Sequence, residues 1–166
     1  GWSGYIGGAS FRGEMNYYTP AFDDSKEDGY LLASVSGEYT FKNSLRIHLE
    51  GLYNGNDNNV SILQLMNTSG LKANNLSLFE YGVFGQLNYP VHPLVNVSVG
   101  SIYYPEQSLS LIMPSLSYSI ADNWELYILS QLFTGEIENL IPEGSRSMAS
   151  QANQFNLFGL RLQWSF

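Results

Sequence analysis

The sequence predicts an all-β chain, namely an antiparallel β-barrel of meander topology that crosses a membrane. Three observations lead to this prediction. Eight segments alternate apolar with small or polar residues, charged residues make up only 13% of the chain, and no apolar run is long enough for a membrane-spanning helix. Soluble domains carry about 25% charged residues, so this chain has too few to cover a water-exposed surface. A sheet in lipid must close, because an open edge leaves backbone groups unpaired.

The alternating segments define eight predicted strands, which are residues 5–17, 30–41, 45–53, 79–89, 95–104, 112–120, 124–133 and 158–166. A hairpin centred on Asn43 pairs Thr40 with Arg46 and Glu38 with His48. This register keeps the polar residues of both strands on one face. Asn43 is expected to take the positive φ of the tight turn. Pro114 interrupts the sixth strand and predicts a bulge or a bend there.

The connections between the predicted strands fall into two classes. Those after the second, fourth and sixth strands are short, whereas those after the first, third and seventh are long and only the fifth departs from this pattern. Short turns on one side and long loops on the other are typical of outer-membrane barrels. The asymmetry predicts that both termini lie on the short-turn, periplasmic side.

Aromatic residues at both ends of the strands predict girdles at the two membrane interfaces, where amphipathic rings are favoured. The periplasmic girdle comprises Tyr39, Phe41, Tyr89, Trp124, Trp164 and Phe166. The outer girdle comprises Tyr17, Tyr30, Tyr53, Tyr103 and Phe133.

The last strand alternates strictly, with the apolar residues Phe158, Leu160, Leu162, Trp164 and Phe166 at every second position. This strand resembles the C-terminal signal strand of bacterial outer-membrane β-barrels, which typically ends in Phe or Trp. The resemblance implies that the barrel-assembly machinery reads these five residues.

Five stretches of the chain resemble the C-terminal half of porin-like barrel proteins of Bacteroidota. They are residues 11–14, 31–43, 87–94, 114–125 and 158–166. The resemblance implies an outer-membrane location, contact with outer-membrane lipid and lipopolysaccharide, and a further N-terminal half with a similar number of strands. It carries over no catalytic or ligand-binding residue.

Eight charged or titratable residues are predicted to face the lumen, and they carry both signs. They are Arg12, Glu14, Glu38, Arg46, His48, Glu50, Glu80 and Arg161. If the eight strands close on themselves, the interior is just filled by side chains, and these residues form a salt-bridge network. If further strands widen the barrel, the same residues line a water-filled pore and act on permeating solutes. The sequence leaves both interpretations open.

Composition argues against several other classes of protein. The net charge of −8 argues against nucleic-acid binding, and the absence of cysteine excludes disulfides and thiolate metal sites. His48 lies near Ser34, Ser36 and Glu38, but no nucleophile motif surrounds these residues, so we predict no enzymatic activity and no cofactor. His92 lies between two prolines in a turn and is expected to be solvated.

Two acidic clusters and one amphipathic segment lie in the long loops. Asp23, Asp24, Glu27 and Asp28, and likewise Glu136, Glu138 and Glu143, lack the ordered spacing of a calcium loop, so we predict solvated surface rather than a metal site. Ile62, Leu65 and Met66 predict a short amphipathic helix, for which three roles are open: to fold into the pore, to cap its mouth or to contact a partner. Capping by local packing is the favoured interpretation.

We therefore predict that residues 1–166 form a single domain, which is an outer-membrane barrel or the C-terminal portion of one. The predicted function is porin-like passive transport of small solutes. The alternative is a closed eight-stranded barrel that serves as an anchor, an adhesin or a binder of a protein partner through its extracellular loops. A soluble lipocalin-like or sandwich fold with the apolar face inward is disfavoured, because the chain has too few charged residues to cover a water-exposed surface.

Overall fold

The computed structural model describes residues 1–19, 29–56, 79–135 and 156–165, which form one antiparallel sheet of nine strands. The strands are β1 (Trp2–Ile6), β2 (Ala9–Tyr18), β3 (Tyr30–Thr40), β4 (Arg46–Asn54), β5 (Tyr81–His92), β6 (Val95–Tyr104), β7 (Leu109–Ala121), β8 (Trp124–Thr134) and β9 (Asn156–Trp164). Strand order follows sequence order, so the predicted all-β antiparallel meander is confirmed. Within the described residues the sheet is not closed, and β1 and β9 are its two edges.

No helix among the described residues is long and apolar enough to cross a membrane.

The prediction of eight strands is wrong by one, because the first predicted strand is a hairpin. Residues 5–17 were expected to run straight, but Gly7 and Gly8 take φ values of +57° and +87° and turn the chain back on itself. Two glycines with positive φ suit a two-residue hairpin turn. Across this turn Ile6 pairs with Ala9 and Tyr5 pairs with Ser10. Tyr5 and Ile6 therefore lie on the faces opposite to those that continuous alternation predicts.

The hairpin also changes the position of the N-terminus. β1 runs toward the Gly7–Gly8 turn, and its first residue, Trp2, pairs with Gly13 in the middle of β2. β9 ends at Trp164 on the side of the short turns. The prediction that both termini lie on this side is therefore wrong for the N-terminus.

The hairpin between β3 and β4 has the predicted register, with Glu38 opposite His48 and Thr40 opposite Arg46. The positive φ was expected at Asn43 but falls on Ser44, at +66°. Asn43 instead accepts a hydrogen bond through Oδ1 from the Leu45 amide at 3.3 Å. In β7, Pro114 still pairs with Val99 of β6, and the ladder with β8 skips it without a shift of register. The bulge or bend expected at Pro114 is thus an interruption of the ladder.

The short turns lie progressively farther along their strands from one hairpin to the next. Ser10, Glu38, His48, Gln86, Gly100 and Met113 form one row of consecutive register partners. From this row the next short turn is two residues away on β2, five on β3, seven on β5 and nine on β7. A line drawn through successive short turns is therefore not perpendicular to the strands. With about 3.4 Å per residue and about 4.8 Å between strands, the strands are tilted by about 40° from the perpendicular to that line.

The register separates two chemically different faces, because paired residues in an antiparallel ladder point to the same side. We call the side of Phe11, Val35 and Leu49 the apolar face, and the side of Arg12, Glu38 and His48 the polar face. Few side chains are buried. Among the described residues only Leu32, Tyr104 and Leu109 form a buried hydrophobic set, and no large side chain is fully buried. The hydrophobic core of the described part of the chain is therefore small.

The first turn provides a test of the β1–β2 hairpin. A Cβ at Gly7 would meet no atom within 4 Å, so Gly7→Ala should act only through the positive φ and destabilise the hairpin by about 1 kcal/mol. Hydrogen exchange of the amides of residues 2–13 should accelerate accordingly.

Gly4→Ala is the matched control, because a Cβ there also meets nothing within 4 Å and the residue lies within β1. Equal exchange rates in the two variants would show that residues 5–17 do not turn at Gly7 and Gly8.

Candidate functional site

The polar face carries every Asp, Glu, Lys and Arg side chain of the nine described strands. These seven residues are Arg12, Glu14, Glu38, Arg46, Glu50, Glu125 and Arg161. The apolar face of the same strands carries none of these residue types. Seven charges sorted to one side of a sheet indicate that the two sides meet different environments.

Glu38, Arg46, His48 and Glu50 form a charged cluster on β3 and β4. Arg46 Nη2 donates to Glu38 Oε2 at 2.7 Å, and the two side chains are 52% and 31% exposed. His48 lies between two carboxylates, with Nδ1 4.0 Å from Glu38 and Nε2 3.7 Å from Glu50. Its ring packs edge-on against Phe84 at 5.8 Å. The structure thus brings four of the predicted lumen-facing residues together.

Arg161 belongs to a second cluster, on β8 and β9. Its guanidinium lies 5.7 Å from the centre of the Tyr127 ring, and its Nη2 donates to Gln163 Oε1 at 2.7 Å. The Tyr127 hydroxyl donates to Glu125 Oε2 at 2.6 Å. Glu125, Tyr127 and Gln163 were not among the predicted site residues, although alternation along β8 and β9 already placed them inward.

Between the two clusters the polar face is hydrophilic but uncharged. Gln86 on β5 donates to Ser98 Oγ on β6 at 3.4 Å. Asn88, Ser115 and Ser117 continue this surface across β5 and β7. Amide and hydroxyl groups of this kind can exchange hydrogen bonds with water, so the surface suits contact with an aqueous phase.

Toward the long loops the polar face becomes apolar and packed. Leu32, Tyr104 and Leu109 are 8%, 5% and 3% exposed, and Asn54 beside them is 6% exposed. The Phe79 ring packs edge-on against Tyr104 at 4.8 Å. Sequence reasoning treated this face as uniformly polar, although leucine and tyrosine at inward positions near the strand ends were a signal of this cluster.

Glu80 and Phe79 differ from their predicted places. Both were assigned to a strand, but β5 begins at Tyr81, so they precede the ladder. The Glu80 carbonyl accepts a hydrogen bond from the Asn54 amide at 2.7 Å, and its carboxylate interacts with the Tyr81 side chain. Phe79 was expected on the apolar face, whereas its ring contacts Tyr104 of the polar face. Glu80 therefore lies at the loop-side rim rather than among the other charged residues.

Arg12 and Glu14 lie on β2 with exposed side chains, opposite Ser36 and Ser34 of β3. They are on the same face as the Glu38 cluster, and the described residues include no ion pair for either of them. Their role as lumen-facing charges stays a prediction.

Aromatic residues mark both ends of the apolar face. Tyr53 packs against Tyr81 at 5.3 Å on the loop side, and Trp124 stacks with Trp164 at 6.2 Å on the short-turn side. Tyr30 and Phe133, which were predicted for the outer girdle, pair with Tyr18 and Leu111 and so lie on the polar face. The girdle prediction is wrong for these two residues.

The apolar residues of β9 share one face and are exposed. Phe158, Leu160, Leu162 and Trp164 are 70%, 65%, 53% and 58% exposed. They pair with Ser130, Ile128, Leu126 and Trp124 of β8. Phe166 lies outside the described residues, and the role of this strand as an assembly signal stays a prediction.

The contacts of the two histidines bear on the question of catalytic and metal chemistry. Among the described residues, His48 Nε2 is shielded from solvent and has no hydrogen-bond partner, and no serine hydroxyl bonds to the ring. His92 Nδ1 accepts a hydrogen bond from the Leu94 amide at 3.2 Å in its turn. Over the ranges that the structure describes, no group of three or more His, Cys, Asp or Glu side chains could hold a metal ion.

Three features predicted for the long loops lie outside the described residues. They are the acidic cluster of Asp23, Asp24, Glu27 and Asp28, the acidic cluster of Glu136, Glu138 and Glu143, and the helix at Ile62, Leu65 and Met66.

A scan against protein-family models, a search of curated proteins and a search of solved structures found no match to this chain.

The exposure of the Glu38–Arg46 pair can be tested. Glu38→Gln removes the charge from this pair, and because both side chains are partly exposed, the free energy of unfolding should fall by about 1 kcal/mol or less. Denaturant unfolding in detergent micelles measures this change.

Glu14→Gln makes the same substitution on the same face at an exposed residue that forms no ion pair with the described residues, so it should be neutral. A loss of about 3–5 kcal/mol for Glu38→Gln would instead indicate a buried pair, as in a narrow, water-free interior.

Proposed function

We propose that this sheet is part of a bacterial outer-membrane β-barrel that conducts small solutes passively, with the polar face lining a water-filled lumen and the apolar face in lipid. Its partners would be outer-membrane lipid, lipopolysaccharide and the barrel-assembly machinery. The proposal needs no cofactor and no catalytic residue. It depends on the chemistry of the two faces rather than on a likeness to a known protein.

The observation that carries the proposal is the sorting of charge across the sheet. All seven strand charges lie on the polar face, while large apolar side chains on the other face remain open to the surroundings. Met15, Leu49 and Phe158 are 70%, 59% and 70% exposed. In water, so extended an apolar surface would be costly at roughly 25 cal/mol per Å². In lipid the same surface is favourable, which explains why no hydrophobic core is needed.

Two geometric features support a barrel. The stagger of the short turns corresponds to a strand tilt of about 40°, and closed membrane barrels have tilts of about 35–45°. The connections on the short-turn side are Gly7–Gly8, residues 41–45, residues 93–94 and residues 122–123. Three of the four on the opposite side span residues 19–29, 55–80 and 135–155. This asymmetry is usual for outer-membrane barrels.

One observation favours the alternative function, in which the barrel is closed and narrow and acts as an anchor or binds a partner through its loops. β2 to β9 number eight, and β2 and β9 run in opposite directions, so they could pair antiparallel. The packed cluster of Leu32, Tyr104 and Leu109 would then be part of a filled interior. Transport is favoured over this alternative because β1 already occupies part of the free edge of β2.

Adjacent residues on β8 test which face meets lipid. Ile128 lies on the apolar face and Leu129 on the polar face, at nearly the same depth. Ile128→Arg should destabilise the folded protein in lipid vesicles by about 2–4 kcal/mol, as a cation does near the bilayer midplane.

Leu129→Arg is the matched control and should cost much less, because its side chain points toward water. A larger loss of stability for Leu129→Arg than for Ile128→Arg in denaturant titrations would place the polar face in the apolar environment. Reversible folding of the wild-type chain in buffer without detergent would also contradict the membrane assignment.

Conductance in a planar bilayer tests transport directly. The purified protein should give stable channels with weak cation preference, since the described strands carry four acidic and three basic side chains on the polar face. Glu50→Lys should lower the permeability of cations and raise that of anions, each by about fivefold per unit charge, because a charge within about 4 Å contributes roughly 1 kcal/mol in water.

Glu106→Lys is the control, because it makes the same charge change in the exposed connection between β6 and β7. It should leave the reversal potential almost unchanged. Absence of conductance in every preparation that inserts into the bilayer would rule out transport and favour the anchoring function.

A further inference from the structure

The two edges of the sheet run in the same direction. The meander reverses direction at each of its eight steps, so β1 and β9 both run toward the short turns. Joining them directly would create a parallel pair in a sheet whose other pairs are all antiparallel. The described nine strands therefore do not close into an antiparallel barrel by themselves.

Closure through β2 is obstructed. β1 pairs with Ala9 to Gly13 of β2 at five consecutive positions, and the Trp2 indole covers Gly13 so closely that a Cβ there would collide with it. Pairing β9 with β2 would require this hairpin to open and the indole to leave. The eight-stranded barrel is thus disfavoured by contacts that the structure already makes.

A second copy of the sheet does not solve the problem either. Placing β9 of one copy beside β1 of another gives a parallel pair. Placing β9 beside β9 gives an antiparallel pair but turns the second copy upside down, with its long loops on the opposite side of the membrane. Proteins inserted by one route share one orientation, so such a dimer is excluded for a barrel with this loop asymmetry.

We propose that an odd number of further antiparallel strands of the same polypeptide lies between β1 and β9 and closes the barrel. This inference rests on the proposed membrane location, because only in lipid must both edges be paired. An odd number makes each new pair antiparallel and brings the total to an even number, as in bacterial single-chain barrels. The added strands also widen the lumen beyond that of an eight-stranded barrel.

Spin labels can measure the separation of β2 and β9 in the protein isolated from its native membrane. Residues 1–166 contain no cysteine, so Met15→Cys and Leu160→Cys introduce two labels on the apolar face, where both residues are exposed. With at least one inserted strand, three strand spacings, or about 14 Å or more, separate the two backbones. In the eight-stranded barrel the separation is one spacing, about 5 Å.

Met15→Cys with Ala33→Cys is the reference pair, because these residues are register partners on β2 and β3. Strong dipolar broadening is expected for the reference pair. Much weaker broadening is expected for the labels at Met15 and Leu160. The amides of β9 that point away from β8 should also exchange slowly with solvent, because the inserted strands pair with them.

Three results would overturn the proposal. Broadening for Met15 and Leu160 equal to that of the reference pair would mean that eight strands close. Strong coupling between chains labelled at Leu160 alone would place a second copy at the edge. Fast exchange at the free edge of β9 would mean that no strand pairs there. Failure to partition into membranes would instead contradict the proposed function itself, which keeps the two failures distinct.

Discussion

The constraint on which the rest of the structure depends is the register of the antiparallel ladder, in which paired residues point to the same face of the sheet. Each hairpin must place residues of the same chemistry opposite one another, because a slip of one residue exchanges the two faces of a strand. Glu38 opposite His48 and Val35 opposite Gly51 show this rule on β3 and β4. Through the nine described strands the rule keeps the charged side chains on one face.

Much of this order was predictable from the sequence, because the period of a strand is fixed by backbone geometry. The hairpin at Asn43 is an example, since a slip of one residue would place Arg46 and His48 on the face opposite to Glu38. The turn at Gly7 and Gly8 was missed for a physical reason. Glycine has no side chain that marks a face, so residues 5–17 fit a straight strand as well as a hairpin, and only the positive φ values decide.

The polar face was predicted less completely than the fold. Alternation identifies which side a residue takes but not what lies against it, so the pairing of Arg161 with Tyr127 could not be foreseen. Nor could the packing of Phe79 on Tyr104, because Phe79 lies at the end of a long connection where periodicity no longer applies. Closure of the sheet depends on strand direction across all nine strands, and the missed hairpin concealed that information.

The stagger of the turns has a consequence for where the charges lie. Measured from its own short turn, Arg12 is four residues from Gly8, Glu38 five from Asn43, Arg46 three from Asn43 and Glu125 two from Asn123. Although these residues lie in different rows of the ladder, the tilt of the strands brings them to a similar height. These four charges therefore form a band on the short-turn side of the polar face, two to five residues from their turns, whereas Glu14 and Glu50 lie six and seven residues from theirs. The charged part of the polar face is concentrated toward one end of the strands.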